Sequence, residues 1–78
     1  MDTTTTTTAT NREREIIVNG QPLATAAATL AELVDKQGFA GVKVATALNG
    51  DFVAERLRAA TSLGAGDRIE ILTVRQGG

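Results

Sequence analysis

Along residues 15–26, EIIVNGQPLATA, apolar positions alternate at the period of a strand, with Ile16 and Val18 on one face and Ile17 on the other. Asn19-Gly20 interrupts the run with a pair favoured in two-residue type I′ turns, where both central residues need positive φ. Pro22 follows, and a residue without an N–H is tolerated in a strand only at an edge or at its start. The segment predicts a hairpin whose second strand is outermost. The period then changes. Thr29-Leu30-Ala31-Glu32 has the form of a capping box, in which the Thr oxygen accepts from the third helical amide and Glu32 reaches back to the cap amide. Leu30, Leu33 and Val34 stand at i, i+3 and i+4, a single apolar stripe. Gly38 is placed to end the helix in left-handed backbone. A short helix over about residues 30–37 is expected, with Phe39 packed beneath its exit.

Period two returns in VKVATAL, which puts Val42, Val44, Thr46 and Leu48 on one side. A second Asn-Gly, at 49–50, turns the chain into a short strand around Phe52 and Val53. The stretch ERLRAATSL fits no single period and stops at Gly64-Ala65-Gly66-Asp67. The closing strand RIEILTVR carries Ile69 and Ile71 on one face and Glu70, Leu72 and Val74 on the other. The order is β-β-α-β-β-turn-β. Hairpins around one helix give a two-layer α+β domain, a mixed sheet with the helix on one face. The first and last strands, the most apolar, are expected side by side, parallel and central. That arrangement is a β-grasp, as in ubiquitin. Ile17, Leu72 and Val74 then fall on the uncovered sheet face, where an apolar cluster marks a partner surface.

Composition limits the chemistry. The 78 residues hold 8 Lys+Arg against 9 Asp+Glu and no His or Cys. Imidazole bases, thiolate nucleophiles and His- or Cys-ligated metals are excluded. A near-neutral chain with Phe39 and Phe52 as its only aromatics offers no nucleic-acid footprint. No segment reads as a membrane span, a secretory signal or a transit peptide, so the cytoplasm is the expected compartment. Residues 1–14, MDTTTTTTATNRER, offer no large apolar anchor until Ile16 and are expected to form a disordered tail. The β-grasp domain is expected over 15–75, followed by a flexible tail over 76–78.

Most polar features take structural readings. Gly64-Ala65-Gly66-Asp67 precedes a strand rather than opening a helix, so it reads as a turn and not a phosphate loop. Asp51 and Glu55 read as a solvated turn, and Arg56 and Arg58 as surface charges. The terminal Gly77-Gly78 has no such account. TLAELV, ALNGDFV and LGAGDRIEILTVRQGG together resemble the ThiS-type sulfur carriers of thiamine biosynthesis, over residues 15–78. Ala54 departs from the family pattern, where proline is common, and the Thr-rich leader is an extra.

The resemblance implies a carrier rather than an enzyme, with no bound cofactor. An E1-like, ThiF-type partner would adenylate the Gly78 carboxylate with MgATP. A sulfur donor such as a persulfide-carrying protein would convert it to a thiocarboxylate, and a ThiG-type thiazole synthase would consume the sulfur. Gly77 and Gly78, without Cβ atoms, suit a tether threaded into another protein. Ile17, Leu72, Val74, Arg75 and Gln76 would form the partner surface, and neither nucleic acid nor membrane is an expected partner. The MoaD-like small subunit of molybdopterin synthase and a ubiquitin-like modifier conjugated to lysines remain alternatives.

Overall fold

The computed structural model describes residues 13–74. Strands β1 (Arg14–Val18) and β2 (Gln21–Thr25) form the first hairpin, and Asn19 and Gly20 between them take φ of 50° and 84°. Pro22 lies on the outer strand, as its missing donor requires. Arg14 already belongs to β1, and its Nη1 donates to the Ala27 carbonyl at 2.7 Å. β1 therefore begins one residue before the expected boundary at 15. An Arg can begin a strand when its head finds a carbonyl, which composition does not reveal.

Helix α1 (Leu30–Val34) buries Leu30, Leu33 and Val34. The Thr29 side chain accepts from the Glu32 amide at 3.2 Å, as a capping box requires. Glu32, however, accepts from the Ala28 amide at 2.7 Å rather than from that of Thr29. Thr29 bridges to Ser62, while the Ala28 carbonyl is taken by the Leu63 amide. That pairing holds the entering chain extended and brings the Ala28 N–H within reach. The helix then loosens into a π-type turn (Asp35–Phe39) in which Gly38 has φ of 91°, and Phe39 packs against the core.

Strand β3 spans Val44–Leu48 and β4 Asp51–Val53, joined by Asn49 and Gly50 with φ of 51° and 89°. Val42, expected inside β3, lies outside it and is exposed. Its amide closes a turn on the Phe39 carbonyl, and Gly41 at φ 79° redirects the chain before pairing begins. A 3-10 helix (Glu55–Ala60) and the turn at 64–67 lead into β5 (Arg68–Thr73). The sheet order is β2-β1-β5-β3-β4, with β1 and β5 parallel and the other neighbours antiparallel. This is the expected β-grasp. Ile16, Val18, Leu30, Leu33, Ile69 and Ile71 form the heart of the core between helix and sheet.

One expectation is reversed. Arg56 is exposed, but Arg58 is buried, with 8% of its surface accessible, while neighbouring Leu57 lies exposed. The Arg58 Nε donates to Thr46 Oγ1 at 2.9 Å and its Nη2 to the Val44 carbonyl at 2.6 Å. A guanidinium is buried at tolerable cost only when its donors are satisfied. Here the Val44 carbonyl and the Thr46 hydroxyl of β3 satisfy two of them.

Candidate functional site

The sheet face away from α1 is where the expected partner residues fall. Register places them. Leu72 on β5 stands opposite Ala45 on β3, and Ala47 stands between Glu70 on β5 and Phe52 on β4. The alanines make a low floor, with Leu72 (63% exposed) and Phe52 (72% exposed) rising on either side. Val74 continues the patch beyond β5, where its amide donates to the Lys43 carbonyl at 3.0 Å and its side chain is exposed.

Ile17 is not part of that patch. It pairs with Arg68, four positions before Leu72 on β5, a separation of about 13 Å along a strand. Ile17 is half-buried and shares a groove with Glu15, Pro22, Ala65 and Gly66. The expected cluster thus divides into two, with Arg68 and Glu70 between them. Arg75, Gln76, Gly77 and Gly78 lie outside the described residues, as does the leader up to residue 12.

Phe52 was absent from the expected surface, although its position was derivable. A two-residue turn at Asn49-Gly50 fixes Phe52 opposite Ala47. Since Val44, Thr46 and Leu48 alternate with the alanines and face inward, Phe52 must face outward.

The strand leading to the tail is clamped by both turns. The Asn19 side chain donates to the Ile71 carbonyl at 3.1 Å and accepts from the Ile71 amide at 2.9 Å. It thereby continues the β1–β5 pairing past the end of β1. Asn49 accepts from the Arg68 amide at 2.9 Å and donates to Asp67 Oδ1 at 3.1 Å. Asp67 in turn accepts from the Gly64 amide at 2.7 Å, which fixes the 64–67 turn. Among the described residues, no group of three or more His, Cys, Asp or Glu side chains is arranged to hold a metal ion. No described helix is long and apolar enough to cross a membrane.

The arrangement is a hydrogen-bonded sheet with an exposed apolar face, and its central strand is the last described element before Gly77-Gly78 in the sequence. A model of the ThiS family matches residues 9–78, nearly the whole chain and including that terminus. The chain belongs to the ThiS family. A crystal structure of a thiamine biosynthesis protein (ThiS) from Geobacter metallireducens is similar at 29% sequence identity and a TM-score of 0.70. The alignment covers 82% of this chain and 99% of that one. No curated protein matches the chain. Membership of the ThiS family supports a sulfur-carrier role.

Proposed function

We propose that this ThiS-family chain carries sulfur as a thiocarboxylate on Gly78 and delivers it to a ThiG-type thiazole synthase in thiamine biosynthesis. The supporting observation is the family match through residue 78, on a chain whose last described strand, β5, is held at Asn19, Asn49 and β3. In the first step a Gly78 carboxylate oxygen attacks the α-phosphorus of MgATP on an E1-like, ThiF-type enzyme, and pyrophosphate leaves. The terminal sulfur of a donor persulfide then attacks the acyl carbon and AMP leaves. A second thiol on the donor cleaves the resulting acyl disulfide, releasing the thiocarboxylate and leaving the donor as a disulfide. In this reading the acid, base and metal chemistry is supplied by the partner enzymes. The chain is acted upon, and its contribution is presentation.

Leu72, Val74 and Phe52 offer the adenylating enzyme an apolar docking face beside the tail's exit. Ile17 offers a separate contact, and Arg75 and Gln76 lie on the path to the carboxylate. Gly77 and Gly78 let a narrow channel close around bare backbone.

The test is intact mass after incubation with a ThiF-type enzyme, MgATP and a persulfide donor. The expected product is heavier by the exchange of one oxygen for one sulfur. Deleting Gly78 shortens the tether by about 3.3–3.6 Å, while misplacements of about 1 Å can cost a hundredfold in rate. That variant should melt like the parent and fail to load. Loading at the parental rate would refute the assignment. Transfer of label to molybdopterin precursor instead of the thiazole would redirect it to the MoaD-like alternative.

A further inference from the structure

Among the described residues, the far end of β5 is flanked on one side. Beyond Ile71, where the Asn19 clamp ends, the described partners of the strand lie on β3: Thr73 stands opposite Val44, and the Val74 amide bonds the Lys43 carbonyl. The last described residues, Thr73 and Val74, are therefore held from the first residues of β3.

Those residues are weakly supported on their other side. Lys43 and Asn49 bond β5, so alternation along the antiparallel ladder turns the backbone groups of Val44, Thr46 and Leu48 towards β4. Thr46 and Leu48 find β4 there, opposite Val53 and Asp51. Val44 does not, because β4 ends at Val53 and the chain turns off into the 3-10 helix. The vacant place is filled by Arg58. Its Nη2 takes the Val44 carbonyl, and its Nε takes Thr46 Oγ1, which itself donates to the Val53 carbonyl at 2.8 Å. One planar fork thus replaces the missing strand residue and ties β3 to the end of β4. Asp35 and Glu55 line the same cleft, yet neither is bonded to the guanidinium. A buried cation is ordinarily placed against a carboxylate. This one is spent on two neutral acceptors at the base of the tail.

We infer that Arg58 is a positioning residue for sulfur loading: it holds the start of β3, and through it Thr73 and Val74, in the geometry that aims the tail. The inference rests on the carrier reading above. It predicts a kinetic signature, since the docking face of Leu72 and Phe52 is on other side chains and stays intact. In Arg58→Met, which keeps the bulk of the stem and removes every donor, the KM for the chain should stay at the parental value. The kcat of adenylation should fall about tenfold, as misaimed reacting groups do. Solvent exchange at the Val74 amide should rise at least about tenfold, while the Ile71 amide, held by Asn19, keeps its relative protection.

The full-length chain serves as substrate for a ThiF-type enzyme with MgATP, read by pyrophosphate release, and amide exchange is read by NMR. Leu63→Ala, a large-to-small core change on the segment whose amide bonds the Ala28 carbonyl, is the control for lost stability and should alter neither kcat nor the ratio of Val74 to Ile71 exchange. If Arg58→Met does not fold, the same readouts are taken on Arg58→Lys, which keeps a cation but loses the fork across Val44 and Thr46, with the same result expected. Parental Val74 exchange in the variant, or an equal loss of kcat in Leu63→Ala, overturns the inference. Absence of turnover with the parent chain would count against the carrier reading alone, and Val74 exchange would still decide whether Arg58 holds the exit.

Discussion

Ile71 and Leu72 are neighbours in the chain, yet one is 3% exposed and the other 63%. Strand alternation makes the difference, and it sets a core position beside an exposed one. Ile71→Ala should cost about 2–5 kcal/mol in denaturant unfolding, the usual range for emptying a core site. Leu72→Glu should change stability by no more than about 0.5 kcal/mol, as surface substitutions do, but weaken binding to the adenylating enzyme. Unfolding of Leu72→Glu would mean that the strand faces are assigned the wrong way round. Asn19 permits a sharper experiment. Its backbone needs positive φ and its side chain pairs both polar groups of Ile71. Asn19→Gly keeps the first property and removes the second, so its loss reports the clamp together with the backbone freedom that glycine adds. Two net hydrogen bonds are worth about 1–3 kcal/mol in urea titration. A loss indistinguishable from zero would show that water replaces the amide.

At the scale of elements, what was legible followed from local rules. Each Asn-Gly turn fixes a hairpin register without reference to anything distant. The helix is announced by Thr29, Glu32 and the Leu30-Leu33-Val34 stripe. The uncovered face followed from alternation in β5. What was not legible depended on how long a neighbour is. Arg58 is buried because β4 stops after three residues and leaves the Val44 carbonyl open. Nothing in ERLRAA states that length, and Arg next to Leu reads as the polar member of the pair. The division of Ile17 from Leu72 was hidden for a similar reason. Strand pairing was foreseen, but the parallel register, Ile17 on Arg68, sets how far apart residues of one face stand. The capping Glu32 reached one residue further than expected because a contact distant in sequence, Thr29 with Ser62, shapes the chain before the helix.

For the whole molecule, β1 opens at Arg14 and the buried core draws its residues from Ile16 to Ile71. A chain lacking residues 2–12 is therefore expected to keep its melting temperature and its loading rate. A loss of more than about 1 kcal/mol, the order of ordering one residue, would show that the leader docks on the domain. The sheet also has a particular dependence on its last strand. β1 with β2 and β3 with β4 are each hairpins of sequence neighbours, and β5 stands between them. During synthesis, a ribosome that has released everything up to the 64–67 turn holds two hairpins with no sheet edge in common. Assembly waits for β5, a long-range closure of the kind that slows folding. The segment destined for Gly77-Gly78 follows that strand out of the ribosome. A nascent chain therefore cannot join its two hairpins into one sheet until this keystone strand has emerged.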